Sequence, residues 1–395
     1  MERKSLIENT IIQRISLFIS ILIVLIFFTQ MLIRALRGDT NDFTSYLLSA
    51  DALLKGNNPY ETGIPFHYIY PLFTAFLLIP FSLIPGWFAS TVWFLLNVIF
   101  FTYTYLLIVK CCINKQLSFS YKLGLPLLLI IILMLNIIQN NFLNGQINIF
   151  VLLLCLIFFH YWKKDEIIIA ALFLAAAISI KLVPLIFIIL VIQRRNYYLL
   201  IYTVIFSLLF TIVIPYLFLG EELIVIYGNY LNILLLKGTS IETPEDSMFF
   251  TFSGFISYII PSLKNVIWLK LISALLLVMA LLAFSLKMED KFCSKNSIIV
   301  ISLYFLGILL VSPMSETHHL IFILPALTIV TYNILYLKSF NKLTRINIII
   351  FFLFYIAGTF YQANPFYFLS IIWLSMLLIL ELYSGALIGE KLNTV

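Results

Sequence analysis

Asp42 and Lys181 are the charges best placed for chemistry in a chain that is 63% hydrophobic and 11% charged. Asp42 lies in "GDTNDFTSYLLSADALLKGNNPY" (Gly38 to Tyr60), directly after a long apolar run. Within that stretch Phe43, Tyr46, Leu47, Ala50 and Leu53 follow i, i+3, i+4, i+7 spacing. This predicts a short amphipathic helix along the membrane interface, ending at Gly56, with Asp42 in its first turn and Ser45 and Ser49 on its polar side. A carboxylate held there can take a proton from a substrate hydroxyl. It can equally do no more than stabilise the helix N-terminus, as can Asp39. Lys181 interrupts "AALFLAAAISIKLVPLIF", where a cation is costly and therefore a functional hypothesis by default. Its ammonium suits pairing with a phosphate at the membrane surface, and snorkelling to the headgroups is the bland alternative.

Other polar groups stand out against the same background. Gln146 and Asn148, in "NGQIN", open a span that then runs apolar, and capping or turn chemistry accounts for them unless they also bind substrate. His318 and His319 follow the outer end of another span and can donate hydrogen bonds to a phosphate or sugar; His67 can do the same. Tyr46 and Tyr60 complete the substrate-contact candidates. Glu221, Glu222, Glu242, Glu245 and Asp246 read as a solvated loop. No metal site is expected: Cys111, Cys112, Cys155 and Cys293 lack zinc or disulfide spacing. No cofactor is expected, since the chain has neither a Gly-rich phosphate loop nor a βαβ pattern.

The elements that must position these groups are membrane helices. A mean hydropathy of +1.08 and runs such as "ISLFISILIVLIFFTQMLI" exclude a water-soluble domain and meet the roughly 20 apolar residues a span requires. The first run is read as a retained helix, not a signal peptide. About 11 to 13 helices are expected, in one integral-membrane domain over residues 1–395 of an all-α, polytopic fold. The net charge of +6 is explained by orientation, not by nucleic acid, because Lys and Arg cluster in short segments between spans. Calling those segments cytoplasmic places residues 34–67, "NGQIN", Lys181, Gly220 to Lys264 and "SPMSETHH" outside. Residues Tyr68 to Val109 fit less simply. Their proline-rich first half is either re-entrant, or Lys110 to Lys122 is an exception to the charge rule. Ile167 to Ile180 and Val183 to Ile192 suggest a hairpin with Lys181 near its outer tip.

"DFTSYLLSADALLKGNNPY", "YPLFTAFLLIPFSLIP", "NGQINIFVLLLCL", "AAAISIKLVPLIFIILVIQRR" and "SPMSETHHLIFILPAL" occur in an order and spacing that resembles the bacterial polyprenol-phosphate-mannose-dependent α-mannosyltransferases. That family belongs to the GT-C superfamily of membrane glycosyltransferases. The resemblance covers about four-fifths of the chain. It implies a GT-C-type fold in the plasma membrane, with Asp42 as catalytic base in the first extracytoplasmic loop and Lys181, His318 and His319 lining the donor or acceptor cavity. It also implies a polyprenyl-phosphate-linked hexose donor (mannose in that family), a lipid or glycan acceptor, and inverting single displacement at the cell envelope. Tyr46, one turn from Asp42, would then offer a sugar an aromatic floor. "EDSMFFTFSGF" departs from the Asn-Gln-Ser often found in relatives. A transporter or flippase, expected to show repeated halves that are absent here, and a ligase or polymerase of lipid-linked glycans are the competing classes.

The charge pattern makes a prediction about sidedness. In intact cells, Asn57→Cys and Glu242→Cys should react with a membrane-impermeant thiol reagent, and Lys291→Cys should not. The reverse pattern would invert the topology.

Overall fold

A computed structural model of the chain describes residues 10–63, 68–112, 123–239, 251–260, 262, 268, 271–272, 274–280, 297–311, 316–336, 342–361 and 364–384. Among the described residues the fold is all-α, with no strand. The helices run in chain order as α1 (Thr10–Arg37), α2 (Asp42–Leu54), α3 (Leu72–Ser82), α4 (Gly86–Cys112), α5 (Gly124–Leu133), α6 (Leu135–Leu143), α7 (Asn148–Trp162) and α8 (Ile167–Ile180). A 3₁₀ turn (Val183–Ile186) leads into α9 (Phe187–Gln193), α10 (Tyr197–Leu208), α11 (Ile214–Leu219) and α12 (Glu222–Thr239). Then come α13 (Phe252–Ile259), α14 (Ser297–Val311), a 3₁₀ segment (Thr317–Ile323), α15 (Leu324–Tyr336), α16 (Lys342–Tyr361) and α17 (Asn364–Ser384).

Among the described residues five helical stretches are long and apolar enough to cross a membrane, two of them joining neighbouring elements (Tyr197–Leu219 from α10 into α11, and Thr317–Leu335 from the 3₁₀ segment into α15), or six if α5 and α6, bent by 80° at their junction, form one broken span. Seven further apolar helical stretches of 10–17 residues occur among the described residues. The sequence pattern counts apolar stretches, whereas several of them fold as short or broken helices. Tyr68 to Val109 shows why: α3 has 11 residues, about 16 Å, against a hydrocarbon thickness of about 30 Å, so only α4 is long enough to cross there. Large apolar side chains lie exposed along α1 and α10, including Ile15, Phe18, Ile26, Ile201, Ile205 and Leu208. Such a surface suits lipid and not water. The chain is a multi-pass membrane protein.

Two compact units divide the chain. One contains residues 1–25, 105–138 and 241–395, the other 26–104 and 139–240. In the first unit α5 lies close on α1: a side chain at Gly124 would overlap the Gln13 carbonyl, and Gln13 Oε1 accepts from the Leu125 N–H. The second unit holds α2 against α3, and α8 against α3, α7 and α10.

Three expectations change. Ser45 and Ser49 are buried with Phe43, Tyr46, Ala50 and Leu53 instead of facing water, because they are small enough to sit in the inward stripe of α2. Ser49 Oγ donates to the Pro59 carbonyl at 2.8 Å. Ile167 to Gln193 does not pack as a hairpin, since α8 is partnered by α7 and α10. Nor is Gly220 to Lys264 loop throughout. The described part contains α12, whose Leu223, Ile226 and Tyr230 are buried at helical spacing. Glu242, Glu245, Asp246 and His67 lie outside the described residues.

The start of α2 is joined to the turn between α6 and α7. The Phe43 N–H donates to the Asn144 carbonyl at 3.1 Å, and Asn41 Nδ2 to the Leu143 carbonyl at 3.2 Å. Trp93 Nε1 donates to the Gly145 carbonyl at 2.8 Å, while its ring stacks on Phe43. This close approach requires Gly145, whose φ is +61° and whose added Cβ would sit 2.6 Å from Phe43 Cβ. Gly145→Ala should therefore destabilise the protein by about 1–3 kcal/mol, seen as a lower melting temperature in detergent. An unchanged melting temperature would mean the turn is not held as described.

Candidate functional site

The second unit brings together five residues singled out in the sequence: Asp42, Tyr46, Gln146, Asn148 and Lys181. Asp42 is the first residue of α2, but Asn41 is the cap. The Asn41 side chain accepts from the Thr44 N–H at 3.0 Å, and Thr44 Oγ1 accepts from the Asn41 N–H in return. With the capping position filled, Asp42 is left to make a different contact: Gln146 Nε2 donates to Asp42 Oδ2 at 2.5 Å.

From Gln146 a chain of side chains runs to Lys181. Asn148 Nδ2 lies 3.5 Å from Gln146 Oε1 and 3.4 Å from Asn141 Oδ1. Lys181 Nζ donates to Asn148 Oδ1 at 2.6 Å. Gln146 and Asn148 are 1% and 0% exposed, while Asp42 and Lys181 are half-buried. The order of donors is not arbitrary. An ammonium can only donate and a carboxylate only accepts, so each amide must turn its oxygen toward Lys181 and its NH₂ toward Asp42. Both amide dipoles then align between the two charges, which strengthens a hydrogen-bonded chain of low local dielectric.

Helix ends create the room for this. Asn148 opens α7, and Lys181 follows the last residue of α8 in extended conformation (φ −149°, ψ 134°). Pro184 in the next turn prevents the helix from continuing. Thr74 Oγ1 of α3 donates to the Ile180 carbonyl at 2.9 Å, satisfying one of the acceptors exposed by the break.

A tyrosine cluster covers the network. Tyr46 OH lies 2.9 Å from Tyr70 OH and 3.4 Å from Gln146 Oε1. The Lys181 ammonium sits over the Tyr70 ring, 5.4 Å from its centroid, a cation–π arrangement. Tyr60 OH donates to the Tyr70 carbonyl at 3.0 Å, and its ring packs on Tyr68 and Tyr230. Burial raises the Tyr46 phenol well above its usual range, and the neighbouring Tyr70 and Asp42 reinforce the effect. Burial likewise pushes Tyr60 up, with Tyr68 and Tyr230 adding to it. Both stay protonated, so they remain hydrogen-bonding phenols. Tyr46 and Tyr60 are 1% and 3% exposed, which places them in the wall behind the polar chain and not on an open floor.

Tyr70 and Asn141 are site residues that sequence reasoning missed. A tyrosine among 22, and an asparagine in "IIQNNFLNGQ", carry no distinguishing signal. His318 and His319 belong to the other unit. There the Glu316 N–H donates to His319 Nδ1 at 2.9 Å, and His318 Nδ1 lies 3.5 Å from Glu316 Oε2. Their described contacts order a 3₁₀ turn. Among the described residues no group of three or more His, Cys, Asp or Glu could hold a metal ion.

The geometry separates capping from the Asp42 carboxylate. Asn41→Ala should lower stability by about 1 kcal/mol, while Asp42→Asn should leave the melting temperature nearly unchanged. Equal losses in the two variants would assign Asp42 a capping role after all.

A family model described as Glycosyltransferase family 87 matches residues 68–313. The match contains Tyr70, Gln146, Asn148 and Lys181, and begins after Asp42, Tyr46 and Tyr60. No curated protein and no solved structure matches the chain.

Proposed function

Since the chain belongs to glycosyltransferase family 87, we propose that it moves a hexose, in the first instance mannose, from a polyprenyl-phosphate donor to a hydroxyl of a lipid or glycan acceptor at the extracytoplasmic face. The observation that carries this reading is the chain Asp42–Gln146–Asn148–Lys181, which joins a base candidate outside the matched region to a cation candidate inside it.

The reaction needs opposite charge at its two ends. As the acceptor oxygen attacks the anomeric carbon, its proton must leave and the bond from that carbon to the phosphate oxygen must break. Asp42 takes the proton, with its carboxylate oriented by Gln146. The bonding electrons depart with the polyprenyl phosphate, whose growing negative charge Lys181 stabilises by moving its ammonium from Asn148 to a phosphate oxygen. A single displacement inverts the anomeric carbon. Electrostatic stabilisation of this kind is commonly worth several kcal/mol. Tyr70 holds the ammonium from one side and keeps it near the site when no phosphate is bound. His318 and His319 are proposed as further donor or acceptor contacts, on the resemblance alone.

Membranes containing the chain should transfer label from radiolabelled polyprenyl-phosphate-mannose to a lipid or glycan. Asp42→Asn should reduce kcat by about 10²-fold or more with expression and donor KM retained. Lys181→Met should lower kcat as well as raise donor KM, because the lost ammonium acts on the charge that grows on the leaving phosphate. Near-normal transfer by Asp42→Asn would remove it as the base, and unchanged donor kinetics in Lys181→Met would return that lysine to a snorkelling role.

A further inference from the structure

A polar depression of about 440 Å³ lies on the other side of α2 from the network. Asp51 follows Asp42 by nine residues, about two and a half helical turns, so it points away from Asp42 and sits about 13 Å further along the axis. Asp51, Lys55, Asn57, Asn58, Glu61 and Thr62 supply its polar walls. Leu48 and Ala52 give it an apolar floor. The volume falls in the range of ligand clefts, roughly 300–1,000 Å³.

The walls are fixed by their own contacts. Gly56 turns the chain at φ +72°, and the Asn57 N–H donates to the Ala52 carbonyl at 2.8 Å. The Tyr60 N–H donates to Asn58 Oδ1 at 3.1 Å, and α12 reaches across so that Asn229 Nδ2 donates to Glu61 Oε1 at 3.2 Å. Lys55 Nζ and Asp51 Oδ2 pair at 2.6 Å.

The chemistry of this lining selects a ligand class. Two carboxylates against one ammonium disfavour an anion such as a lipid phosphate. The ammonium bound to Asp51 disfavours a divalent cation. What remains is a neutral molecule with many hydroxyls: carboxylates accept from them, Lys55 donates to them, and amides do both. The apolar floor suits the C–H face of a pyranose ring.

We propose that this depression docks a neutral oligosaccharide, the part of the acceptor that does not react. The proposal rests on the glycosyltransferase reading above and narrows its acceptor to a glycan longer than one sugar. Docking at a second point on α2 would raise the effective concentration of the acceptor near Asp42 without any contact in the reaction itself.

The test uses the full chain in detergent with mannotriose as probe, followed by saturation-transfer difference NMR. Wild type and Asp42→Asn should both give mannotriose signals that inorganic phosphate does not displace. Two independent variants should lose them: Ala52→Trp, which fills the depression, and Asn57→Ala/Glu61→Ala, which strips its walls. Donor KM should be unaffected in both. No mannotriose signal from wild type, or equal signals from wild type and both variants, would overturn the docking site. Displacement by phosphate would also overturn it, in favour of an anion site. If mannotriose binds as expected but no label passes from polyprenyl-phosphate-mannose, the depression stands and the proposed reaction falls. If label passes but the variants bind mannotriose normally, the reverse holds.

Discussion

Everything in the second unit's polar site depends on how an ammonium and a carboxylate are kept apart in apolar surroundings. Lys181 and Asp42 are joined through Asn148 and Gln146 and not in a direct pair along this path. A direct ion pair would offset part of the desolvation cost of each charge. It would also commit each charge to the other. Two amides let the charges polarise one chain of hydrogen bonds without binding directly to each other along it. The exposure pattern agrees: the amides are sealed in, and the charged ends are only half-buried.

Helix termination is how the fold pays for this arrangement. Site residues sit at the first residue of α2, just past the end of α6, at the first residue of α7 and just past the end of α8. Helix ends expose backbone donors and acceptors that lipid cannot satisfy, so they must be met inside the protein. Asn41 meets those of α2, the Leu143 and Asn144 carbonyls are met from α2, and Thr74 serves the end of α8. Short helices are therefore a requirement of the site. A bundle of uninterrupted spans would offer no place to bring these four ends together.

That requirement also explains what could be read in the sequence. Asp42, Gln146, Asn148 and Lys181 were legible because a polar side chain in or beside an apolar run is expensive. The start of α2 near Asn41 and its stop at Gly56 followed from capping chemistry, which is local. Tyr70 was not legible, because a tyrosine is at home in an aromatic-rich membrane protein and only tertiary contact sets it under Lys181. Ser45 and Ser49 misled for a related reason: hydroxyls mark a polar face by type, yet they are small enough to be buried. Where an apolar stretch would bend or stop short was not legible either. The 80° bend between α5 and α6 and the 11-residue α3 are decided by packing, which hydropathy does not see.

The separation of charges bears directly on the proposed reaction. Inverting displacement moves a proton at one end of the reacting centre and negative charge at the other, so the two catalytic groups must act on opposite sides of one carbon. A carboxylate and an ammonium in contact could not do this, because each would quench the other. Coulomb attraction falls with distance, from about 4 kcal/mol at 4 Å for an effective dielectric of 20 to well under half of that once two side chains intervene. Gln146 and Asn148 thus do more than fill space between Asp42 and Lys181. On the proposed reading they keep the base and the cation from pairing, so that each is held for its own side of the reacting carbon.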